Sequence, residues 1–233
     1  MKKTTLSLFG AVLVTLLSLA ISGQTLKADY QFQGNLNSSV AGAPAMTNLT
    51  GSGGANSFAS DTVDGYSRQT LHFPFDSGLA VNTSGTLIPN GSYTIVILFR
   101  FDQITSYRRV ASFDNRTSDN GAYVQDGRLE FENTANPPFA QDTYIQVVIV
   151  RNGAGTVTAY RDGLQRVNQP DGGSFQITGA NILSFFQDDI EFGGEASAGN
   201  VARIRLYDAP MTTAQVQSLD RVAAPTGGCL TFD

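Results

Sequence analysis

Tight turns divide the centre of the chain into short consecutive segments. The dipeptides Asp126-Gly127, Asn152-Gly153 and Asp162-Gly163 each follow a run of β-branched, aromatic or aliphatic residues. Asp, Asn and Gly accept the positive backbone φ that a tight antiparallel turn needs, so each dipeptide indicates a β-hairpin. Successive hairpins form a meander, and residues 123–167 are therefore predicted to fold as antiparallel strands.

Residues 92–101 form the strongest predicted strand. Both faces of the sequence SYTIVILFRF are largely apolar, and the second face includes Val96 and Leu98. Such a strand belongs in the middle of a sheet whose second face is also partly covered. Charged residues make up only 15% of the chain, which has 24 glycines and no tryptophan. This composition suits one large all-β domain with many short strands.

Residues 199–219 predict a strand, a turn and a short helix, in that order. Ala202, Ile204 and Leu206 alternate with polar residues, as a half-buried strand requires. Pro210 ends the strand because it cannot donate to a β-ladder. The polar row of the strand consists of Arg203, Arg205 and Tyr207. It is predicted to be a solvated face paired with neighbouring acids, and contact with an anionic glycan is the alternative.

A capping box is predicted at the start of the short helix. Thr212 lies three residues before Gln215, the spacing at which the two side chains satisfy each other's backbone N–H groups. Val216 and Leu219 fall on one side of this helix, so they are predicted to pack back on the sheet.

Several segments resemble LamG-like domains of the concanavalin A-like lectin/glucanase superfamily. The strand RIRLYD with the capped helix TTAQVQSL resembles their closing segment, and YIQVVIVRN with VTAYRDGLQRV resembles a strand leading into a V-x-x-Y-x-D-G hairpin. The resemblance covers about residues 30–219. It implies an all-β fold, a two-sheet antiparallel jelly-roll sandwich with a short helix near the C-terminus, and this architecture also suits many short alternating strands.

The chain is predicted to have three parts. Residues 1–22 read as a signal peptide, with Lys2 and Lys3 before an apolar stretch and a small-x-small cleavage site at residues 20–22. Residues 23–222 form the LamG-like domain, and residues 223–233 form a flexible tail that holds the single cysteine, Cys229. The predicted location is secreted or extracellular, with the periplasm or the cell surface as alternatives and no membrane span after signal removal.

Charge and motif content argue against two classes of function. The net charge is −5 and no basic tract occurs, so nucleic-acid binding is not expected. Related glucanases carry an E-x-D-x-x-E motif, but here Glu130 and Glu132 share a strand face without the intervening Asp, and His72 is the only histidine. The chain is therefore predicted not to be an enzyme, although a glycoside hydrolase with an unrecognised carboxylate pair stays open.

Calcium is the cofactor that the resemblance implies, because LamG-like domains frequently hold one Ca²⁺. Calcium prefers carboxylate and carbonyl oxygens in irregular loops. Two loops qualify, residues 114–120 and residues 188–191, and hydrogen-bonded turn acids are the alternative interpretation. The candidate ligands are Asp114, Asp119, Asp188 and Asp189.

Ligand recognition is predicted in the loops of the sandwich. Sugar-binding jelly rolls use polar loop groups, often with an aromatic ring that stacks on a sugar. The candidate ligand-binding residues are Tyr107, Arg108, Asn115, Asn120 and Phe186, with Arg109 in the same segment. The function predicted is a secreted binding module for carbohydrate or a cell-surface glycoconjugate. A structural or adhesive domain that binds an extracellular protein is the alternative.

Overall fold

The structure is a computed structural model that describes residues 23–85, 87–88, 91–130, 137–178 and 181–222. These ranges contain fourteen strands and one short helix. In chain order they are β1 (Leu26–Tyr30), β2 (Thr47–Leu49), β3 (Ser57–Val63), β4 (Tyr66–Phe73), β5 (Gly78–Asn82), β6 (Tyr93–Phe101), β7 (Tyr107–Ser112), β8 (Ala122–Gln125), β9 (Arg128–Glu130), β10 (Ile145–Arg151), β11 (Thr156–Arg161), β12 (Leu164–Pro170), β13 (Ile182–Phe185), β14 (Gly199–Tyr207) and α1 (Thr213–Gln217).

The strands form two antiparallel sheets. The large sheet has the order β12-β11-β10-β6-β14-β4-β3, and β1 also pairs with β14. The small sheet has the order β2-β5-β13-β7-β8-β9. All three predicted hairpins form, between β8 and β9, β10 and β11, and β11 and β12. The predicted jelly-roll sandwich with a short C-terminal helix is confirmed.

The main core lies between the two sheets. β6 is central in the large sheet, between β10 and β14, and its inward side chains include Ile97 and Phe99. The small sheet contributes Phe185, and Phe186 follows directly after β13. Phe186 is fully buried and stacks on Phe73 with 4.1 Å between ring centroids. Phe186 is therefore a core residue and cannot contact a ligand at the surface, contrary to the prediction.

A second apolar layer covers the outer face of the large sheet. Val96 on β6 packs with Met211 and Val216 of the C-terminal segment, and Leu219 packs against the same cluster. The capping box forms as predicted, with the Gln215 N–H donating to Thr212 Oγ1 and the Thr212 N–H donating to Gln215 Oε1. The predicted covering of both faces of β6 is confirmed.

The face assignment of β14 differs from the prediction. A β-bulge between Val201 and Arg203 shifts the alternation, so that Val201 joins Ile204 and Leu206 in the main core. Ala202 packs on the outer face instead. Local alternation cannot reveal such an insertion, because the extra residue is defined only by the partner strand.

The polar row of β14 is paired with acids but is buried rather than solvated. Arg203 is 7% exposed and Arg205 is 3% exposed. Arg203 lies 2.8 Å from Asp29 and 2.6 Å from Asp220, and Arg205 lies 2.7 Å from Asp220. We call these four residues the guanidinium clasp. It joins β1 to the C-terminal segment over the large sheet.

The local sequence pattern also predicts a surface loop at residues 50–64, which are rich in Gly, Ser and Asn, a strand over residues 67–75 with Phe75 on its apolar face, and a short strand at residues 190–192. The first and third of these predictions are wrong, and the second is wrong at its end. Residues 50–64 were expected to be a surface loop, yet they include the edge strand β3, whose polar side chains remain exposed because it pairs only with β4. Phe75 lies beyond β4 and is 45% exposed. Residues 190–192 are not a strand, and Ile190 is 72% exposed.

Some predictions lie outside the described residues. They are the signal peptide at residues 1–22, the tail at residues 223–233 with Cys229, and the side chain of Glu132. The three-part division of the chain stays a prediction. Within the ranges described above, no helix has the length and apolar character needed to cross a membrane.

Candidate functional site

The floor of a cleft is formed by the outer face of the small sheet. Arg109 on β7 is directly opposite Tyr123 on β8, and Tyr123 is directly opposite Glu130 on β9. Their neighbours Val124 and Leu129 point into the main core. Because side chains alternate across a strand, the row of Arg109, Tyr123 and Glu130 lies on the opposite, outer face.

Two loops meet beside this floor. In the β7–β8 loop, Asn115 and Arg116 both adopt positive φ, which turns the chain sharply. In the β13–β14 loop, the Asp189 carboxylate accepts hydrogen bonds from the N–H groups of Glu191 and Phe192, each at 2.7 Å. The Ile190 N–H donates to the Arg116 carbonyl at 3.1 Å, so the loops are joined. The two loops predicted as separate calcium sites thus border one site.

The cleft has a volume of about 440 Å³. Two tyrosine rings form part of its wall, with Tyr107 edge-to-face on Tyr123 at 5.8 Å between centroids. Three of its lining side chains are carboxylates. The lining residues are Tyr107, Asp119, Asn120, Gly121, Tyr123, Glu130 and Glu195.

Arg109 lies fully buried against the wall of the cleft. Its guanidinium lies 4.4 Å from the centroid of the Tyr123 ring. It donates hydrogen bonds to the Tyr123 hydroxyl, to the Asp189 carboxylate and, at 3.1 Å, to the Asn120 carbonyl. The backbone N–H of Arg109 also donates to the Glu195 carbonyl at 2.8 Å. One side chain therefore holds both loops and the tyrosine wall together.

The carboxylates of the site have different proton affinities. Burial, together with nearby Asp119 and Asp188, raises the pKa of Glu195 to about 7. Burial also raises the pKa of Asp188, although N–H groups of Glu195 and Asp189 oppose the shift. Burial acts in the same direction on Asp189, but hydrogen bonds from the Phe192 N–H and from Arg109 outweigh it and hold the pKa of Asp189 below its ordinary value. When neighbouring carboxyl groups have well-separated pKa values, some of them are charged and others protonated at the same pH.

The acid cluster does not fit a calcium ion. One oxygen each of Asp119, Asp189 and Glu195 lies within 4.8 Å of the others, which is the arrangement a cation needs. However, one Asp189 oxygen accepts two backbone N–H groups and the other accepts from Arg109. The guanidinium supplies the positive charge that a divalent ion would bring, and it would repel that ion.

The other predicted metal ligands are also engaged. Both oxygens of Asp188 accept backbone N–H groups, from Asp189 at 3.0 Å and from Glu195 at 2.7 Å. The two oxygens of Asp114 accept hydrogen bonds from the hydroxyls of Ser112 and Ser118. Both acids act as the hydrogen-bonded turn acids that were the alternative interpretation.

The predicted ligand-binding residues divide into two groups. Tyr107 and Asn120 line the cleft. Arg108 is 8% exposed and donates to the carbonyls of Tyr107 and Gly194, each at 3.1 Å, so it supports the cleft from behind. Asn115 is exposed but is not part of the lining.

Sequence reasoning missed Glu195 and Tyr123 as site residues. Glu195 lies in a glycine- and alanine-rich segment without a motif, and Tyr123 was assigned only to a hairpin strand. Glu130 was considered only together with Glu132, as an incomplete glucanase motif, and its register opposite Tyr123 places it in the cleft. Strand pairing between distant segments was the missing information.

Comparison with known proteins shows the same architecture in carbohydrate-active and receptor-binding proteins. Domain 4 of AbnA, an extracellular arabinanase from Geobacillus stearothermophilus solved with arabinotriose, aligns with a TM-score of 0.64 at 14% identity over 83% of this chain and 97% of its own. The binding domain of botulinum neurotoxin DC, solved with rat synaptotagmin II, aligns with a TM-score of 0.56 at 10% identity over 82% of this chain and 50% of its own.

A third structure is that of botulinum neurotoxin type C, whose cell entry depends on interaction with two ganglioside molecules. It aligns with a TM-score of 0.56 at 8% identity over 83% of this chain and 50% of its own. The chain thus spans about half the length of these neurotoxin structures. At such identities the likeness establishes the fold alone.

Sequence comparison supplies the family. No curated protein sequence matches the chain significantly. A laminin G family model matches residues 75–217, which include the β7–β8 and β13–β14 loops and most of both sheets. The chain therefore belongs to the concanavalin A-like lectin/glucanases superfamily.

Proposed function

We propose that this chain is a non-catalytic binding module that recognises carbohydrate in the cleft of the small sheet. The observation that carries the proposal is the pairing of an accessible aromatic wall with carboxylate acceptors in one concavity. Tyr107 is 37% exposed, and its ring can stack on the C–H face of a sugar. Asp119, Glu130 and Glu195 offer carboxyl oxygens as acceptors for sugar hydroxyls, and hydrogen bonds to a charged carboxylate are stronger than neutral ones.

The likeness to domain 4 of AbnA supports a carbohydrate ligand, because that domain was solved with arabinotriose. The synaptotagmin complex of neurotoxin DC supports the alternative, a protein partner. The cleft favours carbohydrate, since its lining is mostly polar and includes three carboxylates. A protein-binding surface would instead have an apolar centre with few charged groups.

A glycan array with matched tyrosine variants tests the proposal. Tyr107→Ala removes a cleft ring, whereas Tyr66→Ala removes a ring that is 64% exposed on β4, outside the cleft. We expect the wild type and Tyr66→Ala to bind the same glycans and Tyr107→Ala to bind at least about tenfold more weakly, as loss of one stacking contact would cause. Equal loss in both variants, or no glycan bound by the wild type, would overturn the proposal.

A glycoside hydrolase is the second candidate, and one observation favours it. Carboxylate oxygens of Asp119 and Glu195 lie within 4.8 Å of one another, and the pKa of Glu195 is raised to about 7, as a general acid requires. Asp119 also accepts a hydrogen bond from the Tyr123 hydroxyl at 2.8 Å, which would weaken it as a nucleophile. We expect no release of reducing sugar from any glycan that binds; release that Glu195→Gln abolishes would establish the enzyme instead.

Export is the second part of the proposal. The basic and apolar pattern of residues 1–22 supports cleavage before Gly23 and release of the domain outside the cell. Expression of the full chain in a secreting host, followed by N-terminal sequencing of the protein in the medium, tests this. A cell-retained chain that still begins at Met1 would be the opposite result.

A further inference from the structure

We infer that the cleft selects saccharides that carry no acidic group and rejects sialylated, uronate and sulfated glycans. This inference rests on the proposed function and adds the chemical class of the ligand. It follows from the charges of the cleft. Asp119, Glu130 and Glu195 are carboxylates, and among the described residues no Lys or Arg lines the cleft.

The position of each basic side chain supports this reading. Every Lys and Arg after Lys3 lies in the described ranges. Four arginines belong to the strands and loops that build the cleft. Arg108 is 8% exposed and donates to two carbonyls, and Arg109 is fully buried and donates to Asp189. Neither can reach an anionic group of a ligand.

The remaining two arginines lie beside the cleft rather than in it. Arg116 donates to the Asp188 carbonyl at 3.3 Å, on the side of the loops where Ile190 contacts it. Arg128 shares the outer face with Glu130 but lies in the next row, opposite Gln125, and its Nη1 lies 3.4 Å from the Asp126 carbonyl. An acidic sugar in the cleft would therefore meet three carboxylates, whereas the guanidinium behind the wall, that of Arg109, is already engaged by Asp119, Asp188 and Asp189.

Glu195 indicates which groups the ligand must present. Its Oε2 atom is buried and has no hydrogen-bond partner among the residues that the structure describes. A buried acceptor without a donor is costly, and the Glu195 side chain also lines the cleft, so a ligand hydroxyl that draws this carboxyl towards the cleft and donates to it gains affinity. A ligand carboxylate or sulfate has no proton to donate at neutral pH, and it would be repelled at short range. Neutral sugars match this requirement, and acidic sugars oppose it.

Matched glycan pairs test the inference. The probes are lactose against 3′-sialyllactose, methyl-esterified against de-esterified homogalacturonan, and dextran against dextran sulfate, each immobilised at equal density. We expect the neutral member of any pair that is bound to bind at least about tenfold more tightly than its acidic counterpart. We also expect this ratio to fall as salt is raised, because screening weakens the repulsion.

Isosteric variants connect the ratio to the cleft. The double variant Glu130→Gln with Glu195→Gln keeps the shape of the cleft and, at pH values above the Glu195 pKa of about 7, removes two charges, so the neutral-to-acidic ratio should fall towards one. Glu191→Gln removes an exposed charge outside the lining and should leave the ratio unchanged. An acidic glycan bound as tightly as its neutral partner by the wild type would overturn the inference while leaving carbohydrate binding intact. Absence of binding to every glycan would instead overturn the proposed function, and this inference with it.

Discussion

The Arg109 guanidinium lies among three acids that were predicted from the sequence as calcium ligands. Its guanidinium is fully buried among Asp119, Asp188 and Asp189, at 3.6 Å from the first and 3.7 Å from the second, and it donates to the third. A guanidinium presents several N–H donors in a fixed plane, so it neutralises several carboxylates at once and also stacks on Tyr123. The positively charged side chain of Arg109 thus joins the two loops.

Replacement of Arg109 by Met tests this role. Removal of one partner from a buried ion pair leaves an uncompensated charge, so we expect the free energy of unfolding to fall by about 3–5 kcal/mol. Thermal unfolding with excess calcium and with a chelator should give the same midpoint for the wild type, whereas calcium should raise the midpoint of Arg109→Met. Arg128→Met, whose side chain makes one long hydrogen bond to a carbonyl, should change stability by no more than about 0.5 kcal/mol. A calcium-dependent midpoint in the wild type would contradict the prediction.

Glu195 makes stability depend on pH. Its folded-state pKa of about 7 is above its ordinary value of 4.5, so between these values the folded chain holds a proton that the unfolded chain has lost. The free energy of unfolding therefore falls as pH rises through this window. Glu195→Gln should make this decrease less steep. After allowance for solvent screening, we expect the variant to have a free energy of unfolding about 1 kcal/mol higher than the wild type at pH 8, which corresponds to about 2–4 °C in the unfolding midpoint.

Chemical denaturation of the wild type and of Glu195→Gln from pH 4 to pH 9 measures the effect. Burial also raises the pKa of Asp188, which acts in the same direction and remains in the variant. Some dependence of the free energy of unfolding on pH should therefore persist. Glu191→Gln serves as the exposed control. Parallel pH profiles for the wild type and Glu195→Gln would show that Glu195 titrates normally.

At the scale of the elements, the sequence predicted those strands, turns and helices that depend on residues close together in the chain. The β8–β9 and β11–β12 hairpins depend on two-residue turns, the β10–β11 hairpin depends on a four-residue turn that begins at Asn152, β6 depends on two apolar faces, and α1 depends on the spacing of Thr212 and Gln215. The bulge in β14, the edge strand β3 and the burial of Phe186 depend on partners far away in the chain, so sequence reasoning missed them. The same limit applies to the cleft, because its row of Arg109, Tyr123 and Glu130 exists only through strand register.

The capping box should decide how well α1 covers the large sheet. Thr212→Ala removes the side-chain acceptor of the Gln215 N–H and should lower the free energy of unfolding by about 1 kcal/mol. Val216→Ala should cost more, about 2 kcal/mol, because Val216 is 1% exposed in the outer apolar cluster. Gln217→Ala, on the exposed side of α1, should have little effect in the same urea titration. An equal loss in all three variants would mean that α1 does not act as a capped, docked helix.

At the scale of the whole molecule, the two sheets have different outer faces. The large sheet is covered by the C-terminal segment and the guanidinium clasp, whereas the small sheet carries the open cleft. The strand β1 and the C-terminal segment are held together beyond the clasp, since the Thr25 N–H donates to Asp208 at 2.7 Å. The covered side therefore stabilises the domain, and the open side carries the cleft that we propose binds carbohydrate.

The guanidinium clasp should contribute more to stability than a comparable surface pair. Asp29→Asn breaks a pair that is more than nine-tenths buried on both sides, so we expect a loss of about 3 kcal/mol. Asp64→Asn makes the same chemical change in the half-exposed pair with Arg221 and should cost less than about 1 kcal/mol. Denaturant titration of both variants measures the difference, and equal losses would show that the clasp is dispensable.

The first and last described residues lie close together, which bears on how the domain could be displayed. Asp29, five residues after Gln24, and Asp220, two residues before Val222, contact the same guanidinium, so the chain enters and leaves at one place on the large sheet. The cleft opens on the opposite sheet. Inserted into a surface loop of a carrier protein, the domain would stand on its closed side without separating the flanking residues of the carrier, and it would present its tyrosines and carboxylates outwards.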